Sequence, residues 1–391
     1  MIPQYYEFFC PVKILSGQKA LSNLAYEMKL LGASRAMVVT DKGVVGAGLM
    51  KLIDEAMAGQ EAVIATVYDK TPPDSSDKVC NEVAEIYRKE KCDCLLAVGG
   101  GSAIDTAKGA NIVISEETDD LMKFQGMDRL TKETVPLIVV PTTAGTGSEV
   151  TLVAVIRNSE KDTKMPFVSD RLYPRLAILD PAMTQTMPPK ITAATGMDAL
   201  THAIEAVYSL QRNPISDTLA FGAIDLIFKN LHTCVVKPND LDARLAMANA
   251  ALIAGAAFSN AMVGVVHAVA HAAGGVCHVP HGVANSILLP FGMEYNLEKV
   301  PERLAVLCPY MGISNIPTDP KQAAEAAVKA VRELAKKLNA DSGLPLSLKE
   351  AGVTEDKLEA IAKTAINDGS CTYNPEDVAY EDALAIVKKA Y

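Results

Sequence analysis

Six histidines occur in the 391 residues, and five of them crowd into two short segments. In Thr195-Gly196-Met197-Asp198-Ala199-Leu200-Thr201-His202, Asp198 and His202 stand at i and i+4, which stacks both side chains on one face of a helix. His267-Ala268-Val269-Ala270-His271 repeats the spacing, and His278-Val279-Pro280-His281-Gly282 reads as a loop leading into a further helix. A buried carboxylate needs a cation, and neutral imidazoles supply lone pairs without charge. A divalent metal meets both needs and brings Lewis-acid chemistry. Six ligands are open to it on these grounds: Asp198, His202, His267, His271, His278 and His281. A catalytic ion keeps at least one position free, so not all six can bind it. His232, in Asn230-Leu231-His232-Thr233, falls at a helix end and reads as structural.

A second chemistry is written in glycine. Leu95-Leu96-Ala97-Val98-Gly99-Gly100-Gly101-Ser102 reads as strand, tight turn and helix start. Three consecutive glycines let backbone approach a ligand closely, and the helix N-terminus then offers free N–H groups to a pyrophosphate. The run is neither a Gly-x-Gly-x-x-Gly fingerprint nor a Walker loop. After another strand comes Pro141-Thr142-Thr143-Ala144-Gly145-Thr146-Gly147-Ser148-Glu149, whose hydroxyls suit phosphate, ribose or an amide; the alternative is a plain turn with solvated threonines. Asp41 ends the run Ala36–Thr40, at a strand's C-terminal edge where α/β sheets bind ligands. A carboxylate there accepts from ribose hydroxyls and repels a 2′-phosphate, favouring NAD over NADP; the alternative is a solvated turn residue.

These residues need elements to hold them. Strand-like runs at Ala36–Thr40, Val63–Tyr68, Cys94–Val98, Leu137–Val140, Leu152–Ile156 and Leu176–Leu179 alternate with helical patterns at Gly46–Ala58, Ser76–Glu90 and Ala103–Ile114. The alternation predicts a parallel sheet covered by helices on both faces. Phe8–Leu15 reads as one more strand, at an edge. Beyond Asp180-Pro181 almost only helix periods follow: Met197–Tyr208, Ser216–Leu231, Leu241–Ala273, Lys321–Leu338, Glu355–Ile366 and Tyr380–Lys389. Prolines at 181, 188 and 189 mark the boundary. The expected architecture is an N-terminal Rossmann-like α/β nucleotide domain, residues 1–183, followed by an all-α metal and substrate domain, residues 184–391.

Composition narrows the partners. With 37 Lys plus Arg against 47 Asp plus Glu, the net charge is −10, and no dense basic run offers a nucleic-acid surface. From Leu245 to Met293 no charged residue occurs, a length that could span a bilayer. Its histidines, Asn249, Asn260, Asn285, Pro280 and Pro290 favour instead helices buried in a globular domain. The eight cysteines are scattered rather than paired into a framework, and Cys92 with Cys94 lacks the second pair a zinc site wants. The N-terminus lacks a basic n-region and apolar run, so a cytoplasmic protein is expected.

Taken together, Ala177-Ile178-Leu179-Asp180-Pro181 through Glu205, His267 through Gly282, Gly99–Ser102 and Pro141–Glu149 resemble the iron-dependent (group III) alcohol dehydrogenases of the dehydroquinate synthase-like superfamily, along nearly the whole chain. The resemblance implies a metal held by Asp198, His202, His267 and His281, with His271 beside the nicotinamide as the catalytic residue, where spacing alone had ranked it with His267. It implies NAD contacts from Asp41, Gly99, Gly100, Gly101, Ser102, Thr142, Thr143, Thr146, Val155, Lys164 and Leu179. The ion implied is Fe(II), with Zn(II) the alternative. The activity implied is reversible hydride transfer between NAD and a small primary alcohol or diol, or its aldehyde, in a homo-oligomer. A glycerol dehydrogenase-like zinc polyol enzyme and a dehydroquinate synthase-like lyase are the alternatives. The lyase would want several Lys and Arg, which the charge-free stretch does not offer.

Overall fold

The β-branched runs of the first half pair as a parallel sheet because helices shield both of its faces. A computed structural model describes residues 3–161 and 163–391. Strands β1 (Lys13–Ser16), β2 (Arg35–Val39), β3 (Val63–Tyr68) and β4 (Cys94–Gly99) alternate with helices α1 (Leu24–Leu30), α2 (Lys42–Gly46), α3 (Met50–Met57), α4 (Asp77–Lys89) and α5 (Gly101–Ser115). Then come β5 (Gly126–Met127), β6 (Leu137–Pro141), β7 (Val153–Asn158), β8 (Thr163–Val168) and β9 (Leu176–Leu179). The main sheet is six-stranded, in the order β1-β9-β6-β4-β2-β3, and every pairing in it is parallel.

Side chains alternate between its faces. Ala36, Val38, Leu96, Val98, Ile138, Val140 and Ile178 pack with Leu24, Met28 and Ile53 of α1 and α3. Their neighbours Met37, Val39, Leu95, Ala97, Leu137 and Val139 pack on the other face with Val83, Tyr87, Ile104 and Ala107 of α4 and α5. Each fully buried branched side chain contributes roughly 1.5–3 kcal/mol. Burial on both faces explains why these strands read as continuous apolar runs rather than alternating ones.

Two expectations change here. The run at Leu152–Ile156 is a strand, β7, but it lies outside the parallel sheet. It forms a hairpin with β8, from Val153↔Val168 to Asn158↔Thr163, in a separate three-stranded sheet ordered β5-β8-β7. That sheet packs Ala154, Ile156 and Phe167 on Cys80, Ala84, Ile112 and Val113 of α4 and α5. The strand β8 escaped detection because Pro166 interrupts it, and proline weakens any reading of a strand. Pro166 pairs only with Val155, beyond the short reach of β5, where its missing N–H costs the ladder little. The strand expected at Phe8–Leu15 begins only at Lys13 and is indeed an edge.

The second compact unit is helical. It comprises Met187–Tyr391 together with the N-terminal arm through Phe9, and the first comprises Cys10–Thr186. Its helices are α6 (Pro189–Tyr208), α7 (Pro214–Val236), α8 (Leu241–Ala261), α9 (Val265–Cys277), α10 (His281–Asn296), α11 (Pro301–Ala305), α12 (Pro320–Ser342), α13 (Leu358–Ala365) and α14 (Tyr380–Ala390). Their starts follow local chemistry: proline stands at the first turn of α6, α7, α11 and α12, and Asn213, Asp240 and Asp319 cap α7, α8 and α12 with their side chains. The arm is tied to α8 by Phe9 N–H to Asn260 Oδ1 at 2.7 Å and Asn260 Nδ2 to Phe9 O at 3.1 Å.

The continuous helix expected over Leu241–Ala273 is two helices. The chain turns at Met262, with φ 63° and ψ 178°, a region that side chains rarely adopt. Gly264 then opens α9. Helices α7 and α8 are long and apolar enough to cross a membrane by length and composition, but α8 packs against both α6 and α7.

Candidate metal centre and nucleotide loops

Helix α6 carries Asp198 and His202 one turn apart on a buried face. Its close seat against α7 depends on Gly196, where a Cβ would stand 2.2 Å from Leu231 Cδ1. Helix α9, restarted by the turn at Met262, carries His267 and His271, and His281 opens α10. Gly282 lets that start press on α6, since a Cβ there would lie 2.6 Å from the Ala194 carbonyl oxygen. Three helices thereby bring one ligand atom each from Asp198, His202, His267 and His281 within 4.8 Å of one another.

The imidazoles are stacked rather than scattered. His202 lies between Phe258, ring centroids 4.2 Å apart, and His267, at 4.6 Å. His281 is tilted against His267 at 5.4 Å, and its Nε2 is 3.4 Å from Asp198 Oδ1. One amide marks the point on which lone pairs converge. Asn285 Nδ2 donates to Asp198 Oδ1 at 2.6 Å and stands 3.2 Å from His267 Nε2 and 3.1 Å from His281 Nε2. The same residue's Oδ1 is buried without a hydrogen-bond partner among the described residues. Acceptors gathered around a single electropositive group, in a chemistry of one carboxylate and three imidazoles, fit a divalent cation of the Fe or Zn type.

Electrostatics agree. Burial opposes ionisation of Asp198, but His202, His281, His267 and the Asn285 amide outweigh it and hold the carboxyl below its ordinary range. Burial pushes His267 well below the usual imidazole range, so its imidazole is neutral.

His271 stands apart from the four: its ring stacks on His281 at 5.2 Å and meets His267 edge-on at 5.8 Å. Its Nδ1 is 2.8 Å from Asp368 Oδ2. Burial alone would raise Asp368, but the bond and charge of His271 and the Ser370 N–H hold it at about 2. The carboxylate is therefore an acceptor only, and Nδ1 of His271 is the donor that faces it. His278 caps the end of α9 in a left-handed conformation and joins no cluster of ligands. Nor do Cys92 and Cys94, among the described residues.

In the first unit, β2 leads away from the sheet's centre toward β3, whereas β4 leads the other way toward β6. Ligands of open α/β sheets lie at such a reversal, outside the carboxyl ends of the strands. Asp41 follows β2, Gly99 ends β4 with Gly100–Ser102 directly after it, and Thr142–Thr146 follow β6. Asp41 Oδ1 accepts from Val44 N at 3.0 Å as the cap of α2. The glycines are needed for close approach rather than for positive φ: a Cβ on Gly100 would lie 3.1 Å from Thr143 Oγ1, and one on Gly101 would lie 3.0 Å from Thr146 Cγ2. The Thr142 N–H donates to Gly99 O at 3.0 Å, locking the loops together.

The other expected contacts lie further out. Leu179 ends β9, three strands from β2. Val155, on β7, gives its N–H to Asp105 Oδ2 at 3.0 Å, and Lys164, on β8, pairs with Asp74 at 2.6 Å.

Sequence reasoning missed the supports. Lys108 is fully buried and donates to Thr151 O at 2.8 Å, Thr151 Oγ1 at 3.0 Å and Val153 O at 2.9 Å, fastening the segment that joins the threonine loop to β7 onto α5. Burial lowers its ammonium to about 8, against the pull of Asp105 and Glu149, and raises Glu149 to about 7. Asp105 also accepts from Ser148 Oγ at 2.8 Å. Asp105 and Lys108 stand at i and i+3, a signal that was legible. Asp368 lies 97 residues from His271, and nothing local joins them.

Comparison with known proteins bears on both units. Residues 11–181 match the family described as iron-containing alcohol dehydrogenase, and residues 192–391 match the C-terminal region of the Fe-containing alcohol dehydrogenase family. The chain belongs to the iron-containing alcohol dehydrogenases. This dehydrogenase is 39% identical over 390 residues to the 1,3-propanediol dehydrogenase of Citrobacter freundii, covering 99% of each chain. It superposes on the crystal structure of a 1,3-propanediol oxidoreductase with a TM-score of 0.92 and 39% identity, over 99% of its own chain and 100% of the other. A sulfoacetaldehyde reductase from Bifidobacterium kashiwanohense, solved in complex with NAD+, gives a TM-score of 0.87 at 30% identity, covering 99% of both chains. The family is metal-containing, and the dehydrogenase is an alcohol oxidoreductase of that kind.

Proposed function

We propose that the dehydrogenase interconverts small primary alcohols or diols with their aldehydes, using NAD and one divalent ion, Fe(II) before Zn(II), held by Asp198, His202, His267 and His281. The observation that carries this reading is the convergence of those four ligand atoms within 4.8 Å. The 1,3-propanediol dehydrogenases among its relatives support a short alcohol or diol, and the relative solved with NAD+ supports that cofactor. Bound there, a divalent ion would supply Lewis acidity toward a substrate hydroxyl, and NAD would supply the hydride acceptor.

The chain's own residues do the rest. The α/β domain, residues 1–183, binds the dinucleotide. Gly99, Gly100, Gly101 and Ser102 at the start of α5 hold the pyrophosphate, with Thr142, Thr143 and Thr146 beside them. Asp41 accepts from the adenosine ribose, and Val155, Lys164 and Leu179 line the remaining length. In the helical domain, residues 184–391, His271 is the catalytic residue: its Nε2, left open by the bond from Nδ1 to Asp368, takes the proton released from the alcohol. The enzyme works in the cytoplasm as a homo-oligomer, in keeping with eight free thiols.

Exhaustive chelation tests the reading. NADH formation from 1,3-propanediol is expected to vanish with the metal and to return on anaerobic addition of Fe(II) or Zn(II). Activity that survives complete metal removal would refute it.

A further inference from the structure

We propose that Glu205 is a positioning residue of the metal centre: its buried carboxyl group orients His267 and fixes the tautomer that His267 turns to the ion. The inference rests on the metal reading above. Glu205 stands on α6 at i+3 from His202 and is wholly buried. Its Oε2 lies 2.5 Å from His267 Nδ1 and accepts from the His267 N–H at 3.3 Å. Its Oε1 accepts from the Val266 N–H at 2.9 Å and from the Tyr208 hydroxyl at 3.0 Å. Two oxygens thus meet four donors, three of them on α9 and the fourth, Tyr208, on α6 itself.

The consequence for His267 is a fixed tautomer. With Nδ1 donating to Glu205, the lone pair lies on Nε2, the atom that stands 3.2 Å from Asn285 Nδ2 at the convergence point. Carboxylates behind metal-binding imidazoles hold both tautomer and ring orientation, and losing one typically costs 10–100-fold in metal affinity.

The competing explanation is purely structural, because Glu205 also caps α9. Asn374 separates the two roles. Its Oδ1 accepts from the Val265 N–H at 3.2 Å, so it caps the same helix end without touching an imidazole.

The experiment titrates Co(II) into the metal-free full-length protein under anaerobic chelator competition, with melting temperature measured in parallel. Glu205→Gln offers one acceptor oxygen and sets an NH2 against a donor, which favours the wrong tautomer of His267. Its Co(II) dissociation constant is expected to rise about 10–100-fold. Asn374→Ala is expected to melt earlier yet bind Co(II) as the wild type does. Where Glu205→Gln does not fold, Glu205→Asp replaces it: the oxygen withdraws by one methylene from Nδ1, and affinity again falls. A folded Glu205 variant with wild-type affinity overturns the proposal, as does an equal loss in Asn374→Ala, which would make capping the whole effect. A wild-type protein that binds no Co(II) refutes the metal site itself, a failure distinguishable from either.

Discussion

Replacing Asp41 by Ser separates two tasks carried by one carboxylate. Its Oδ1 caps α2 through Val44 N at 3.0 Å, and its Oδ2 lies 3.6 Å from where a Cβ on Gly99 would stand, so the charge abuts the glycine loop. A serine hydroxyl keeps the cap and removes the charge. A 2′-phosphate carries about −2, and at about 5 Å it repels a carboxylate by roughly 2 kcal/mol in water and roughly 7 kcal/mol at an effective dielectric of 20. Asp41 is only half-buried, so the lower figure governs. The ratio of kcat/KM for NAD to that for NADP, measured with 1,3-propanediol, is then expected to fall by about 10–30-fold in Asp41→Ser. Asp41→Gly, which keeps neither function, should show the same shift. Glycine is itself a tolerated cap, so its stability cost should be only a few tenths of a kcal/mol. A cofactor ratio unchanged in Asp41→Ser would refute the placement of the adenosine ribose at this carboxylate.

Two further predictions concern stability. Burial raises Glu149 from 4.5 to about 7, so the folded protein holds this proton more tightly than the unfolded chain. That contribution is complete below pH 4.5 and is lost as pH rises through about 7. Glu149→Gln stays neutral throughout, so its melting temperature should gain on the wild type between pH 5 and 8, by up to roughly 3 kcal/mol of relative stability; a gap independent of pH would refute the assignment. Gly196→Ala drives a Cβ to 2.2 Å from Leu231 Cδ1 and should cost about 1–3 kcal/mol in thermal unfolding. The double variant with Leu231→Ala should recover part of the packing strain, and strict additivity of the two losses would contradict the clash.

Much of the site was legible because its signals are local. The i, i+4 spacing of Asp198 and His202 and of His267 and His271, the triple glycine after an apolar strand, and the carboxylate at a strand end each depend only on helix and strand periodicity. The two-part architecture was legible for the same reason, since burial on both faces leaves continuous apolar runs and an all-helical half leaves a period of 3.6.

Other features needed the tertiary structure. Spacing could not tell whether His267, His271, His278 or His281 would share an ion, because that depends on how α6, α9 and α10 cross, and on the turn at Met262 that a continuous helical pattern conceals. The strand β8 was hidden by Pro166, which is tolerated because β5 stops short of it and leaves β7 as its one partner strand among the described residues. Asp368 behind His271, Glu205 behind His267 and Lys108 beneath Thr151 and Val153 are joined to their partners by folding, not by sequence proximity. Ligand types and their helical faces follow from the chain's own periodicity. Which lone pairs meet, and which carboxylate aims each imidazole, is decided by packing between elements distant in sequence, to which local periodicity is blind.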